Sequence, residues 1–175
     1  NDVLLTLGIN PTRPETGYGY IQVNHENIND VYKVKTFTEK PNKELAQAFL
    51  DSGEFVWNSG IFLWSVRSIL EAFKNYLPEI TNKFNEGKTL FNTSSEKEFI
   101  NKSFPFCPNI SIDYGVFEKA DNVYVIRSNF GWSDLGTWGA LHEIAEKDEN
   151  NNACLNCQAL YVESNDNVVT MSDDK

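Results

Sequence analysis

The sequence lacks several features that would assign it at once to a broad class. No apolar run approaches the roughly 18 residues needed to span a bilayer, and the longest apolar stretch, residues 60–64, is predicted to be a buried strand. Basic residues are in the minority, with 15 Lys and Arg against 25 Asp and Glu and a formal net charge of -10. Nucleic acids and anionic membranes require a basic face that offsets phosphate repulsion, so we predict no nucleic-acid partner and no membrane partner.

Cysteine is also scarce. Three cysteines are too few, and odd in number, for a disulfide framework. Cys154 and Cys157 form a C-x-x-C pair, but no second pair or His-rich segment completes a tetrahedral zinc site. We therefore predict reduced thiols and, since no secretion signal is present, a cytoplasmic protein. The chain opens on an apolar strand without an initiator Met, so we expect a further segment upstream.

The residues that are present indicate a folded α/β chain. The length of 175 residues allows about 70% of the unfolded-chain surface to be buried, and an aromatic content of 13% is too high for a disordered chain. Predicted strands and helices alternate through most of the chain, which favours a sheet with helices on its faces. After residue 150 the pattern changes to strands alone, predicted over 158–163 and 168–171.

Four segments place polar residues at the ends of predicted strands, where ligands bind in an open α/β sheet. In the first, glycines on both sides of Tyr18 let the backbone approach a ligand closely, although such a pair is commonly just a turn. In the second, Pro41 favours an extended backbone for Lys40. There the Glu39 carboxylate suits sugar hydroxyls and the Lys40 ammonium suits a phosphate, or the two form a surface ion pair.

The other two segments have ordinary structural explanations as well. Asn58, within the sequence Trp-Asn-Ser-Gly, can donate to a sugar hydroxyl or simply close a β-bulge. Asp134, within Trp-Ser-Asp-Leu-Gly, can hold a hard divalent cation such as Mg²⁺ together with substrate phosphates. It can equally cap the helix that follows.

Taken together, five segments resemble bacterial mannose-1-phosphate guanylyltransferases in order and spacing. They are residues 8–21 (GINPTRPETGYGYI), 37–41 (FTEKP), 57–62 (WNSGIF), 111–119 (SIDYGVFEK) and 131–138 (GWSDLGTW). The match covers nearly the whole chain, and the first and last of these segments are far more specific than a lone Gly-rich loop. The resemblance implies part of a Rossmann-like nucleotide-diphospho-sugar transferase sheet over residues 1–149, followed by the start of a β-rich, β-helix-like region over 150–175.

The activity that the resemblance implies is transfer of GMP from GTP to mannose 1-phosphate, giving GDP-mannose and pyrophosphate with Mg²⁺ as cofactor. Tyr18 and Gly19 would approach the mannose, Glu39 and Asn58 would bind it, and Arg13 would make a further phosphate or loop contact. Lys40 and Asp134 are the implied catalytic residues, with Lys40 facing the sugar phosphate and Asp134 holding the metal. Asp113 and Glu118, by contrast, are predicted to be helix-cap and surface residues.

One departure from the family is large, because its Gly-rich N-terminal signature, guanine-reading segment and first metal-binding aspartate are absent. We therefore expect a part of the enzyme that does not turn over alone and that belongs, at full length, to a homodimer. The alternatives are a sister transferase that uses glucose 1-phosphate with another nucleotide, and a non-catalytic module that retains the sugar pocket. A lectin-like binder is a weaker alternative, since neutral sugars require neither Lys40 nor Asp134.

Overall fold

Strands and helices alternate along most of the chain. The computed structural model describes residues 2–171, without the side chains of His25 and Glu26, and divides into two units between Asn129 and Phe130. The first unit contains β1 (Leu4–Ile9), β2 (Tyr20–Ile28), β3 (Val31–Thr38), α1 (Lys43–Ser52), β4 (Phe55–Trp64), α2 (Val66–Tyr76), α3 (Pro78–Asn85), α4 (Glu96–Ser103), a 3₁₀ turn (Phe104–Phe106), a π-helical turn (Asp113–Phe117) and β5 (Val123–Ser128).

The strands of the first unit form one mixed sheet in the order β1-β4-β2-β3-β5. β1 pairs in parallel with β5, whereas the other neighbours are antiparallel. The α/β class is confirmed, but the sheet is not open as expected. Pairing of Val31 to Lys33 with the middle of β5 closes it into a barrel, which leaves neither β3 nor β5 as an unpaired edge.

The core of this unit lies between the sheet and the helices α2 and α3. It is formed by the buried apolar residues Leu4, Ile21, Val23, Phe37, Val56, Ala72, Leu77, Val116, Phe117, Val123 and Val125. Gly8 lets β1 approach its two neighbours, because a Cβ there would overlap the side chains of Val56 on β4 and Val125 on β5. The close approach of the strands therefore requires glycine at this position.

Residue preferences explain the two ends of α1. Asn42 caps the helix by accepting a hydrogen bond from the Leu45 amide at 2.9 Å, and Gly53 ends it with φ of 68°; asparagine and glycine are both favoured at these positions. The β-bulge considered for Asn58 is present at residues 58–60, within a continuous β4. The β1–β4 register shifts there, and Gly60 has φ of 70°.

The second unit is smaller and contains α5 (Trp138–Ile144), β6 (Ala153–Leu155) and β7 (Val168–Thr170). The strand predicted over 158–163 is wrong, because these residues form no strand and lie in the connection between β6 and β7, which pair in parallel. A parallel pair needs a connection of about a dozen residues, and the segment between β6 and β7 supplies it. The β-helix-like continuation and the boundary at residue 149 stay predictions.

Among residues 2–171, no helix combines the length and the apolar character that a bilayer crossing requires.

Candidate functional site

Gly19 lies where the start of β2 meets the end of β3 and the middle of β4. The Gly19 carbonyl accepts a hydrogen bond from the Asn58 amide at 2.8 Å, and the Tyr18 carbonyl accepts one from the Lys40 amide at 3.2 Å. A Cβ on Gly19 would overlap the Glu39 carboxylate and lie 3.3 Å from the Asn58 Cβ. Glycine is therefore required here for Glu39 and Asn58 to lie beside the Tyr18–Gly19 backbone.

Glu39 and Lys40 differ sharply in exposure although they are neighbours. The Glu39 side chain is 7% exposed and the Lys40 side chain 62%, with Lys40 Nζ 3.4 Å from Glu39 Oε2. The ion pair offered as an ordinary explanation is thus present, but it joins a buried carboxylate to an ammonium in solvent. Lys40 is not extended as predicted. Its φ is 46°, a left-handed conformation that is uncommon for a residue with a Cβ.

The Asn58 carboxamide is held in one orientation. Its oxygen accepts from the Gly60 amide and the Thr6 hydroxyl, each at 3.2 Å, and its nitrogen donates to Asp113 Oδ1 at 3.0 Å. Asn58 therefore does more than close the bulge, since its side chain connects β1 and β4 to the π-helical turn.

Aromatic side chains form one wall of this region. The Tyr18 and Trp57 rings meet edge to face with centroids 5.1 Å apart, and the Arg13 guanidinium lies 5.5 Å from the Trp57 ring centroid. Arg13 also pairs with Glu15 at 3.2 Å. Burial raises the pKa of the Tyr20 phenol, while the Trp57 indole and the Glu15 amide act in the opposite direction. Through its contacts with Trp57 and Glu15, Arg13 connects the loop between β1 and β2 to these aromatic side chains.

Two acidic residues of this region were not predicted to belong to it. Asp113 does not act as a helix cap but accepts from Asn58, and Glu118 lies close enough to Glu39 for their charges to interact. Burial, and then the charge of Glu39, raises the pKa of the Glu118 carboxyl. The only signal in the sequence was their place within residues 111–119, a segment that carries the family resemblance.

Asp134 belongs to the second unit, in the turn before α5. Its Oδ1 accepts from the Gly136 amide at 3.0 Å, whereas the cap of α5 is Thr137, which accepts from the Ala140 amide at 3.1 Å. The helix-cap explanation for Asp134 is therefore wrong. Leu135 next to it has φ of 53°. Of the described residues other than Gly, Asn and Asp, only Lys40, Leu135 and Glu163 have positive φ, and the first two lie in the predicted site segments.

The described residues contain no group of three or more His, Cys, Asp or Glu side chains that could enclose a metal ion. The exposed Asp134 carboxylate is a suitable hard oxygen ligand, and Mg²⁺ is commonly bound by one or two carboxylates plus substrate phosphates. Asp134 therefore fits the role of a single Mg²⁺ ligand, and the residues that the structure describes do not form a complete metal site.

Comparison with known proteins assigns the chain to a family. Residues 1–151 match the family described as Nucleotidyl transferase. A mannose-1-phosphate guanylyltransferase of Escherichia coli is 38% identical over 176 residues, covering 97% of this chain and 38% of that protein. One from Salmonella montevideo is 42% identical over 158 residues, covering 85% of this chain and 33% of its own length. The chain thus spans between a third and two fifths of these relatives.

A solved structure is similar over the whole chain. The crystal structure of a mannose-1-phosphate geranyltransferase from Thermus thermophilus superimposes with a TM-score of 0.75 at 29% sequence identity. The similarity covers 100% of this chain and 55% of that one.

Proposed function

Because this chain belongs to the nucleotidyl transferase family, we propose that it is the sugar-phosphate-binding part of an enzyme that transfers GMP from GTP to mannose 1-phosphate. The products would be GDP-mannose and pyrophosphate. The observation that carries the proposal is the convergence at Gly19, where a close backbone, a buried carboxylate and an oriented carboxamide meet. Those groups suit the hydroxyls of a sugar.

The charges suit a reaction between two anions. The transfer needs no protein nucleophile, since the sugar phosphate itself attacks the α-phosphorus of GTP and pyrophosphate leaves. Lys40, whose ammonium is exposed next to buried Glu39, would face the sugar phosphate and offset its charge. Arg13 and Tyr18 would keep the loop in place over the sugar through their contacts with Trp57.

Asp134 would hold Mg²⁺ together with substrate phosphates. When bound, the metal neutralises charge on the reacting phosphates. The positive φ of Leu135 supports this role, because residues held in such conformations cluster at functional sites. The expected homodimer and the cytoplasmic location stay predictions.

Direct binding tests the proposal without requiring turnover. Mannose 1-phosphate, titrated into the chain by calorimetry, should bind with saturation and more tightly than mannose, which lacks the phosphate that Lys40 would face, or glucose 1-phosphate. Gly19→Ala should weaken binding by about tenfold or more, which corresponds to about 1.4 kcal/mol, because the new Cβ displaces the Glu39 carboxylate.

Gly17→Ala is the matched control. A Cβ at Gly17 meets only Glu15 Oε1, at an ordinary 3.4 Å, so its binding should equal that of the unsubstituted chain. Absence of mannose 1-phosphate binding by the unsubstituted chain would overturn the proposed function. Equal binding by both glycine variants would remove the Gly19 region from the sugar site.

A further inference from the structure

Asp113 lies in a short turn that the core fixes in place. The π-helical turn Asp113–Phe117 is closed by a 2.9 Å hydrogen bond from the Glu118 amide to the Asp113 carbonyl. Val116 and Phe117 are 0% and 2% exposed, and the Phe117 ring lies 4.4 Å from the ring of Phe62 on β4. Because its turn is anchored to β4, the Asp113 carboxylate is held beside the segment that contains Asn58.

The partners of Asn58 specify which end of its carboxamide is which. The Gly60 amide is only a donor and therefore needs the Asn58 oxygen, whereas Asp113 Oδ1 accepts and therefore needs the Asn58 nitrogen. The Thr6 hydroxyl does not settle the choice. It can donate or accept, and its single proton is shared between Asn58 Oδ1 at 3.2 Å and the Ile61 carbonyl at 3.1 Å.

One N–H of the oriented carboxamide remains for a ligand. Asn58 Nδ2 carries two protons, of which Asp113 accepts one, and the other has no partner among the residues that the structure describes. A carboxamide turned by 180° would present an oxygen there and would reject the same ligand acceptor. The direction of the Asn58 side chain therefore decides whether a hydroxyl oxygen is recognised or repelled.

We propose that Asp113 is a positioning residue that fixes the orientation of the Asn58 carboxamide so that its free N–H points to a sugar oxygen. The identity of the ligand rests on the proposed function, whereas the contact between Asp113 and Asn58 does not. Asp113 makes no contact with the sugar in this scheme and acts only through Asn58. Loss of the Asp113 carboxylate should therefore weaken sugar-phosphate binding only when Asn58 is present.

The first measurement is independent of any ligand. In NMR spectra of the ¹⁵N-labelled chain, one of the two Asn58 Nδ2 protons should exchange with solvent more slowly than the other, because it is bonded to Asp113. Asp113→Ala should remove that protection, and Asp113→Asn should restore it in part because the new carboxamide oxygen can still accept. Unchanged Asn58 signals in Asp113→Ala would overturn the proposal.

The second measurement is a double-mutant cycle for mannose 1-phosphate binding. Asp113→Ala should weaken binding by about tenfold and Asp113→Asn by less, whereas Asp113→Ala added to Asn58→Ala should cause no further loss. Asp121→Ala, which removes the same charge from an exposed position of the same unit, should bind like the unsubstituted chain. Retained melting temperatures would separate a loss of orientation from a loss of fold.

Each outcome of the cycle decides one claim. Additive losses at Asp113 and Asn58 would show that Asp113 contacts the ligand itself, which overturns the positioning role. Undiminished binding by Asp113→Ala would overturn it as well. If the unsubstituted chain does not bind mannose 1-phosphate, the proposed function fails, and the NMR measurement still decides whether Asp113 orients Asn58.

Discussion

The two units of this chain are stabilised in different ways. The first buries a continuous apolar cluster between its closed sheet and helices α2 and α3, with residues such as Leu4, Ile21 and Val56 at 0% exposure. In the described part of the second, the only buried apolar residues are Ala140 and Ala153. Several large apolar side chains there are exposed, and Leu160 reaches 92%. Apolar burial therefore dominates in the first unit and contributes little in the second.

In the described part of the second unit, hydrogen bonds of a buried polar side chain replace apolar burial as the main contacts. Asn152 is 2% exposed, and its nitrogen donates to Asp148 and to the Ser164 carbonyl, each at 3.1 Å. Its oxygen accepts from the Asn167 side chain at 2.8 Å. Hydrogen bonds to the backbone and side chain of Asn152 lower the pKa of the Asp148 carboxyl. This network joins the turn before β6 to the turn before β7.

The strongest test of this difference between the two units is at Gly8, a buried residue of β1 in the first unit. Gly8→Ala should destabilise that unit by about 3 kcal/mol, because its Cβ would overlap the Val56 and Val125 side chains in a packed core. Hydrogen exchange of the β1 and β5 amides, followed by NMR, measures the loss.

The matched substitution in the second unit is Gly139→Ala in α5. The nearest atom to its Cβ is Thr137 Oγ1 at 3.8 Å, and alanine is favoured over glycine in a helix by about 1 kcal/mol. Exchange of the α5 amides should therefore be unchanged or slower. If Gly8→Ala were tolerated as well as Gly139→Ala, the first unit would not have the tight core described above.

A smaller effect is expected when the polar network of the second unit is broken. Asn152→Ala should cost about 2 kcal/mol locally, since it leaves the Asn167 donors and the Ser164 carbonyl without their buried partner. The amides of β6 and β7 should exchange faster while those of β1 keep their rates. Asn150→Ala is the control, because the structure gives its exposed side chain no hydrogen bond. Unaltered exchange in β6 would contradict a polar origin for its stability.

Much of the first unit could be predicted because its signals are local. The Asn42 cap, the Gly53 terminus and the strand Val31–Thr38 follow from residue preferences within one element. Barrel closure could not be predicted, because it depends on pairing of β3 with β5 across the chain. In the second unit, β6 is too short for a periodic pattern, and the apolar residues of 158–163 suggested a strand where a connection lies.

Three members of the candidate site could be predicted from the sequence, but Asp113, Glu118 and the connections among these residues could not. Motifs at strand ends identified Gly19, Glu39 and Asn58, which the structure brings together. The link from Asn58 to Asp113 spans 55 residues and leaves no local signal in the sequence.

The left-handed backbone of Lys40 could not be predicted from local sequence either. Pro41 disfavours a right-handed helical conformation there, but the choice between extended and left-handed backbone depends on its bond to Tyr18.

The smallest predicted effect concerns the charges of two glutamates of the first unit, Glu118 and Glu98. Burial and the charge of Glu39 raise the pKa of Glu118, so ionised Glu118 weakens the first unit once the pH exceeds that raised value. Glu118 is exposed, so solvent screens its charge, and Glu118→Gln should stabilise this unit at pH 7 by no more than about 0.5 kcal/mol. The gain should vanish below about pH 4, where Glu118 is protonated in both folded and unfolded chains.

Glu98→Gln should change stability with the opposite sign. The hydrogen bond from Lys102 lowers the pKa of Glu98, so the ionised form of Glu98 is the stabilising one. Thermal melts of both variants at the two pH values measure the difference, and a gain for Glu118→Gln that persists at low pH would exclude charge repulsion at the site as its cause.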